Sequence, residues 1–147
     1  MEKIFENFTI SVLKLNKLVS KIKTYEMREY GLKAMHVMCI YYLSEAKDGL
    51  TASELCKLTL EDKAAISRGL ALLAQKGYVT YDPNGYSAKI CLTKEGKKLA
   101  LEVNEKCERA VNAGSAIKSE EDLVFFYKTL NAIAANLQEY YDKLVKQ

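Results

Sequence analysis

Apolar residues near the start of the chain recur at spacings of four and three: Phe8, Val12, Leu15, Val19 and Ile22. That interval returns every side chain to one side of a helix. It predicts a helix over about 4–23 with a single apolar face and coiled-coil-like periodicity. After Gly31 a second helix is predicted over about 33–47. It is apolar nearly all round, which predicts a central, buried position. Gly49 breaks the chain, and Thr51 with Glu54 has the spacing of a capping box ahead of a short helix, about 52–58. Thr59 and Leu60 make a brief connection, Asp62 serves as N-cap, and a further helix runs to Gly77, which ends it.

From Tyr78 the period changes. YVTYD at 78–82 and AKICLT at 88–93 are rich in β-forming residues. Between them Asp82-Pro83-Asn84-Gly85 suits a tight turn, so a hairpin with a longer loop is predicted. The helical period returns at about 94–112, with Leu99, Val103, Cys107 and Ala110 on one side. Ser119 and Asp122 are spaced like another capping box. The last helix, about 120–145, carries Leu123, Phe126, Leu130, Ile133, Leu137, Tyr140 and Leu144 at alternating spacings of three and four.

Two short helices joined tightly and followed by a β-hairpin describe a winged helix-turn-helix. The predicted fold is therefore mainly α, with a two-stranded β-hairpin wing flanked by N- and C-terminal dimerisation helices. Residues 1–147 are read as one subunit, with the winged lobe at about 33–93 and the dimerisation helices at about 4–23 and 94–145. A lone subunit would leave two apolar stripes in water, and large exposed stripes mark interfaces. Phe8, Val12, Leu15, Phe126, Leu130, Ile133, Leu137 and Tyr140 are the expected dimer contacts.

The helix over 62–76 has an unusual polar side. Ile66, Leu70 and Leu73 define its core face, leaving Lys63, Ala64, Ser67, Arg68, Ala71 and Gln75 opposite. A solvated face is normally dense with Glu and Lys. This one is short-chained near its N-terminus and holds one planar guanidinium. Small residues let a helix approach base edges in the DNA major groove, and arginine reaches guanine O6 and N7 with two hydrogen bonds. The alternative is a surface arginine paired with Glu61 or Asp62.

Composition narrows the classes. The net charge of +3 permits an anionic partner without demanding one. Four cysteines, Cys39, Cys56, Cys91 and Cys107, form no CxxC pair, so no metal or redox framework is expected, and scattered thiols fit a reducing cytosol. The start, MEKIFENFTISVLKLNK, mixes charged and apolar residues, so no targeting signal is read there. The run AMHVMCIYYL is far short of the ~20 apolar residues that span a bilayer. A soluble, cytoplasmic protein is expected. There is no GxGxxG, P-loop, HExxH or GxSxG pattern, and His36 is the sole histidine, so neither an enzyme nor a cofactor is expected.

Four segments in order resemble regulators of the MarR family. They are YGLKAMHVMCIYYL, LTASELCKL, DKAAISRGLALLAQKGYV with its serine-arginine pair and closing lysine-glycine, and ICLTKEGKKLA with its LTxxG junction. With the two flanking helices the resemblance spans nearly the whole chain. It implies a homodimer whose terminal helices pair and whose recognition helices enter successive major grooves, with the wing at the adjacent minor groove or backbone. The implied function is sequence-specific binding of double-stranded DNA at a pseudo-palindromic operator by a repressor released by a small-molecule effector or by oxidation. The alternative is a winged-helix dimer acting as a protein-interaction or ligand-sensing module with weak or no operator binding.

The wing departs from the family pattern. Where an aspartate-arginine-arginine cluster is usual, this chain has Gly85, Tyr86 and Ser87, leaving Asn84 and Lys89 as the expected wing contacts. His36 is read as a hydrogen-bonded core residue in preference to a metal ligand, and the cysteines as small core residues in preference to redox sensors. Tyr25, Tyr30, Tyr41 and Tyr42 fit either core packing or an aromatic-ligand pocket.

Overall fold

The computed structural model describes residues 2–82, 84–85, 88–116 and 119–146. The chain divides into two compact units, Met1–Glu108 and Arg109–Gln147. The first unit opens with α1 (Glu2–Glu26) and a single 3₁₀ turn (Arg28–Tyr30). α2 (Ala34–Glu45), α3 (Ala52–Thr59) and α4 (Lys63–Gln75) follow, then strands β1 (Val79–Thr80) and β2 (Cys91–Leu92). α5 (Lys94–Ser115) starts in this unit and ends in the second, which also contains α6 (Glu120–Leu144).

Local chemistry sets most of the boundaries. Thr51 and Glu54 form the predicted capping box: the Glu54 amide donates to Thr51 Oγ1 at 3.1 Å, and the Thr51 amide donates to Glu54 Oε2 at 2.7 Å. Asp62 caps α4 by accepting from the Ala65 amide at 2.7 Å. At the other end Gly77 adopts φ +79°, and the amides of Tyr78 and Gly77 donate to the carbonyls of Leu73 and Ala74, both at 2.9 Å. That pair of bonds is a Schellman closure, which requires the left-handed residue that glycine supplies. Between α3 and α4 the left-handed position falls to Leu60, at φ 60° and 90% exposed. Ser119 caps α6 through the Asp122 amide at 3.2 Å.

The core lies in the first unit. α2 supplies Val37, Cys39, Ile40 and Leu43, while α3 adds Leu55, α4 adds Ile66, Leu70 and Leu73, and α5 adds Leu99 and Val103. Its central role follows from having no polar face, as the sequence predicts. On α1 and α6 the apolar stripes stay in solvent within the chain: Phe8 is 37%, Leu15 55%, Phe126 47% and Leu137 55% exposed.

The wing is shorter than predicted. The antiparallel register pairs Val79 with Leu92 and Thr80 with Cys91, in place of strands over 78–82 and 88–93. At Thr80 the side-chain hydroxyl hydrogen-bonds both to the amide and to the carbonyl of Cys91, at 3.3 and 3.4 Å. A side chain competing for ladder groups is one reason for pairing to stop there. Ile90 is instead bridged to Leu50, with amide-to-carbonyl bonds of 3.0 and 2.8 Å. No sequence signal marked Leu50 as a strand partner. The predicted turn survives in part: Asp82 Oδ1 accepts from the Asn84 amide at 2.9 Å, and the Asp82 carbonyl from the Gly85 amide at 3.0 Å. Pro83, Tyr86 and Ser87 lie outside the described residues.

The LTxxG junction has a packing cause. Thr93 Oγ1 accepts from the Gly96 amide at 3.0 Å and so caps α5, while the Thr93 amide donates to the Tyr78 carbonyl at 3.0 Å. A Cβ on Gly96 would lie 1.9 Å from that same carbonyl oxygen. Only glycine lets α5 begin so close to the β1 backbone.

Candidate nucleic-acid interface

α4 turns Ile66, Gly69, Leu70 and Leu73 inward and leaves Lys63, Ala64, Ser67, Arg68, Ala71 and Gln75 exposed. All six residues selected by helical periodicity therefore share the open side. Gly69 allows the close seating of α4 on α2, since a Cβ there would meet the end of the Met35 side chain at 2.4 Å. Sequence reasoning passed over Gly69, because an interior helical glycine carries no mark of what lies against it. Arg68 makes no ion pair or side-chain hydrogen bond among the described residues, so Glu61 and Asp62 do not hold it.

The wing residues behave differently. Asn84 is exposed at the turn. Lys89 is engaged: its Nζ lies 3.0 Å from Glu54 Oε2 and 3.4 Å from Oε1. Glu54 is well below the usual carboxylate range, at about 2, first because the Thr51 amide bonds to it and then because Lys89 does. Among the described residues the direct polar link between wing and α4 is Tyr81, whose hydroxyl lies 3.3 Å from Ser67 Oγ. The sequence reading had not selected Tyr81. Its position in an alternating strand run, one residue before the turn, was the available signal.

His36 is buried at the α2 start, where its Nδ1 accepts from the Lys33 amide at 2.9 Å. It is the hydrogen-bonded core residue the sequence suggested. Burial, then the charges of Lys33 and Lys76, hold its pKa below the ordinary value. Cys39 is fully buried, and burial pushes its thiol up to about 12; Cys107 is also raised, by burial. Neither has the thiolate character of a sensor. Among the described residues no group of three or more metal-binding side chains assembles.

The candidate tyrosines are spread among other contacts. Tyr30 donates to Glu102, Tyr25 lies beneath the Arg28 guanidinium at 3.9 Å, and Tyr41 meets Tyr42 edge to face at 5.5 Å. An open cleft of about 570 Å³ between the end of α2, β2 and α5 is lined by Leu43, Lys47, Leu92, Lys97 and Asn104 among others, and by no tyrosine.

A capped pair of short helices, a bare-faced second helix and a hairpin against it define a winged helix-turn-helix protein. Residues 30–87 match the model of the MarR family. No curated protein sequence matches. The fold is similar over nearly the whole chain to a MarR/EmrR family transcriptional regulator from Acinetobacter sp. ADP1, at 21% identity and a TM-score of 0.79, covering 92% of this chain and 98% of that one. It is also similar to a MarR transcriptional regulator from Methanosarcina mazei Go1, at 19% identity and a TM-score of 0.80, covering 95% and 99%. A MarR protein from Peptoclostridium difficile gives 18% identity and a TM-score of 0.82, covering 94% and 92%. Among the described residues no helix is long and apolar enough to cross a membrane.

Proposed function

We propose that this chain is a sequence-specific DNA-binding transcriptional regulator of the MarR kind, acting as a repressor. In this reading it binds a pseudo-palindromic operator as a homodimer and carries out no catalysis. The observation that carries the reading is the open face of α4, where Lys63, Ala64, Ser67, Arg68, Ala71 and Gln75 stand in solvent with Arg68 unpaired among the described residues. A short-chained face allows close approach to base edges, and the free guanidinium is the donor suited to guanine. Asn84 at the wing turn adds a backbone contact.

The exposed stripes support dimerisation. Phe8, Val12 and Leu15 on α1, with Phe126, Leu130, Ile133, Leu137 and Tyr140 on α6, are apolar side chains that a second copy would cover. On this reading residues 33–93 act as the DNA-binding lobe, and 4–23 with 94–145 as the dimerisation helices. A small-molecule effector releases the operator. Four unpaired cysteines agree with a cytoplasmic location.

The test is selection from a random duplex pool, followed by titration of the enriched site. Two-fold symmetric half-sites about one helical turn apart are expected. Arg68→Ala should cost roughly 1–3 kcal/mol and relax one position in each half-site. Unchanged affinity and preference would remove Arg68 from the readout. A second reading, a ligand- or protein-sensing dimer that has lost operator binding, draws on the engagement of Lys89 by Glu54. Enrichment of no sequence even at low salt favours it.

A further inference from the structure

Lys89 is the one cation between Tyr78 and Thr93, so it carries all the positive charge of the wing. The Leu50–Ile90 bridge brings it beside the first turn of α3, where Glu54 is already anchored by the Thr51 amide. Lys89 Nζ reaches both carboxylate oxygens there, at 3.0 and 3.4 Å. The carboxylate is ionised at any physiological pH, since it titrates at about 2. The lysine that would offer a polyanion its positive charge is thus held in a neutral pair, and the wing's other charged residue, Asp82, is itself an acid.

Resting on the DNA-binding reading above, we infer that Glu54 sets the affinity and salt dependence of this protein on DNA by holding the wing's only cation in an ion pair. The readout then falls to α4. The consequence is specific. A lysine that neutralises a phosphate releases counterions and steepens the fall of affinity with salt, whereas a lysine already neutralised by a carboxylate does not. A phosphate contact carries no base information, so the restraint acts alike on every sequence.

Glu54→Gln separates the two jobs of this side chain. Glutamine still accepts the Thr51 amide in a capping box, so α3 keeps its start, but the charge that binds Lys89 is gone. The experiment measures binding of wild type, Glu54→Gln, and Glu54→Gln with Lys89→Gln to the selected operator and to a scrambled duplex, across a fourfold range of potassium chloride. Thermal melting serves as the folding control. The single variant should bind both duplexes more tightly at low salt. Its log–log salt slope should steepen by roughly 0.9 per subunit, which is roughly a 3.5-fold extra loss per subunit across that range. The double variant should return to the wild-type slope. A single variant with the wild-type slope, or a steeper slope that persists in the double variant, overturns the inference while leaving the DNA reading intact. A wild-type chain that binds neither duplex overturns both.

Discussion

Ser67 on the exposed face of α4 and Tyr81 at the base of the wing meet hydroxyl to hydroxyl at 3.3 Å. Ser67 is one helical position before Arg68, and Tyr81 is packed in part against the core. The bond therefore ties the orientation of an α4 side chain to the residue that follows β1, which is fixed from behind. Because each hydroxyl can donate or accept, the pair can turn a donor outward without leaving either oxygen unsatisfied.

Tyr81→Phe and Ser67→Ala remove the same bond, so their effects on operator affinity should be less than additive. A double-mutant cycle should return a coupling of about 0.5 kcal/mol or more. Strictly additive losses would mean that the two hydroxyls act independently.

Glycine-to-alanine changes should separate sharply by what each new Cβ meets. At Gly96 it would lie 1.9 Å from the Tyr78 carbonyl oxygen, which is itself bonded to the Thr93 amide and cannot withdraw. Gly96→Ala should cost roughly 2–3 kcal/mol in urea unfolding. At Gly69 the nearest atom is the flexible end of Met35. The gain of about 1 kcal/mol in helix propensity opposes that strain, so Gly69→Ala should change stability by less than about 1 kcal/mol. The reverse order would show that the α2–α4 contact is the less forgiving of the two.

Leu60 holds φ 60° between α3 and α4 with 90% of its surface in water. A leucine there bears the left-handed cost and recovers little by burial. Asparagine tolerates that conformation without glycine's extra unfolded-state entropy. Leu60→Asn should raise stability by about 0.5–1 kcal/mol, read from the denaturant midpoint at unchanged slope. A lower midpoint would mean that Leu60 makes a contact its exposure does not reveal.

Two groups predict how stability depends on pH. His36 titrates below its ordinary 6.5 when folded, because burial and then Lys33 and Lys76 disfavour its charged form. The unfolded chain therefore takes up this proton first. The contribution is complete above 6.5 and is lost as pH falls through the lowered folded value. Glu54 acts in the same direction at lower pH: its contribution is complete above 4.5 and is lost toward about 2. His36→Gln can keep an acceptor for the Lys33 amide and should abolish the first decline while leaving the second. If urea midpoints of variant and wild type fall in parallel just below pH 6.5, that titration belongs to another group.

The helices were legible because their signals are local. Thr51 with Glu54, Asp62, Gly77 and Ser119 act on backbone groups within a few residues, and each does so here. The open face of α4 was legible for a related reason: once Ile66, Leu70 and Leu73 are assigned to the core, helical geometry fixes what lies opposite. The wing was read less well. Its strands were predicted too long because a β-rich run does not reveal which partner its backbone will find, and Ile90 pairs with Leu50, forty positions earlier in the chain. Lys89 was expected, with Asn84, to face DNA, and its pairing with Glu54 depends on that same bridge.

Periodicity and capping chemistry by themselves determined where the helices run, which side of α4 stays bare, and that α1 and α6 bear apolar stripes. Those properties depend on neighbours within one or two turns. Only the tertiary structure decided that Gly69 admits the Met35 side chain and Gly96 the Tyr78 backbone, that Tyr81 reaches Ser67, and that Glu54 takes up the wing's one cation. Each of these joins elements distant along the chain, and their meeting is set by how the core packs.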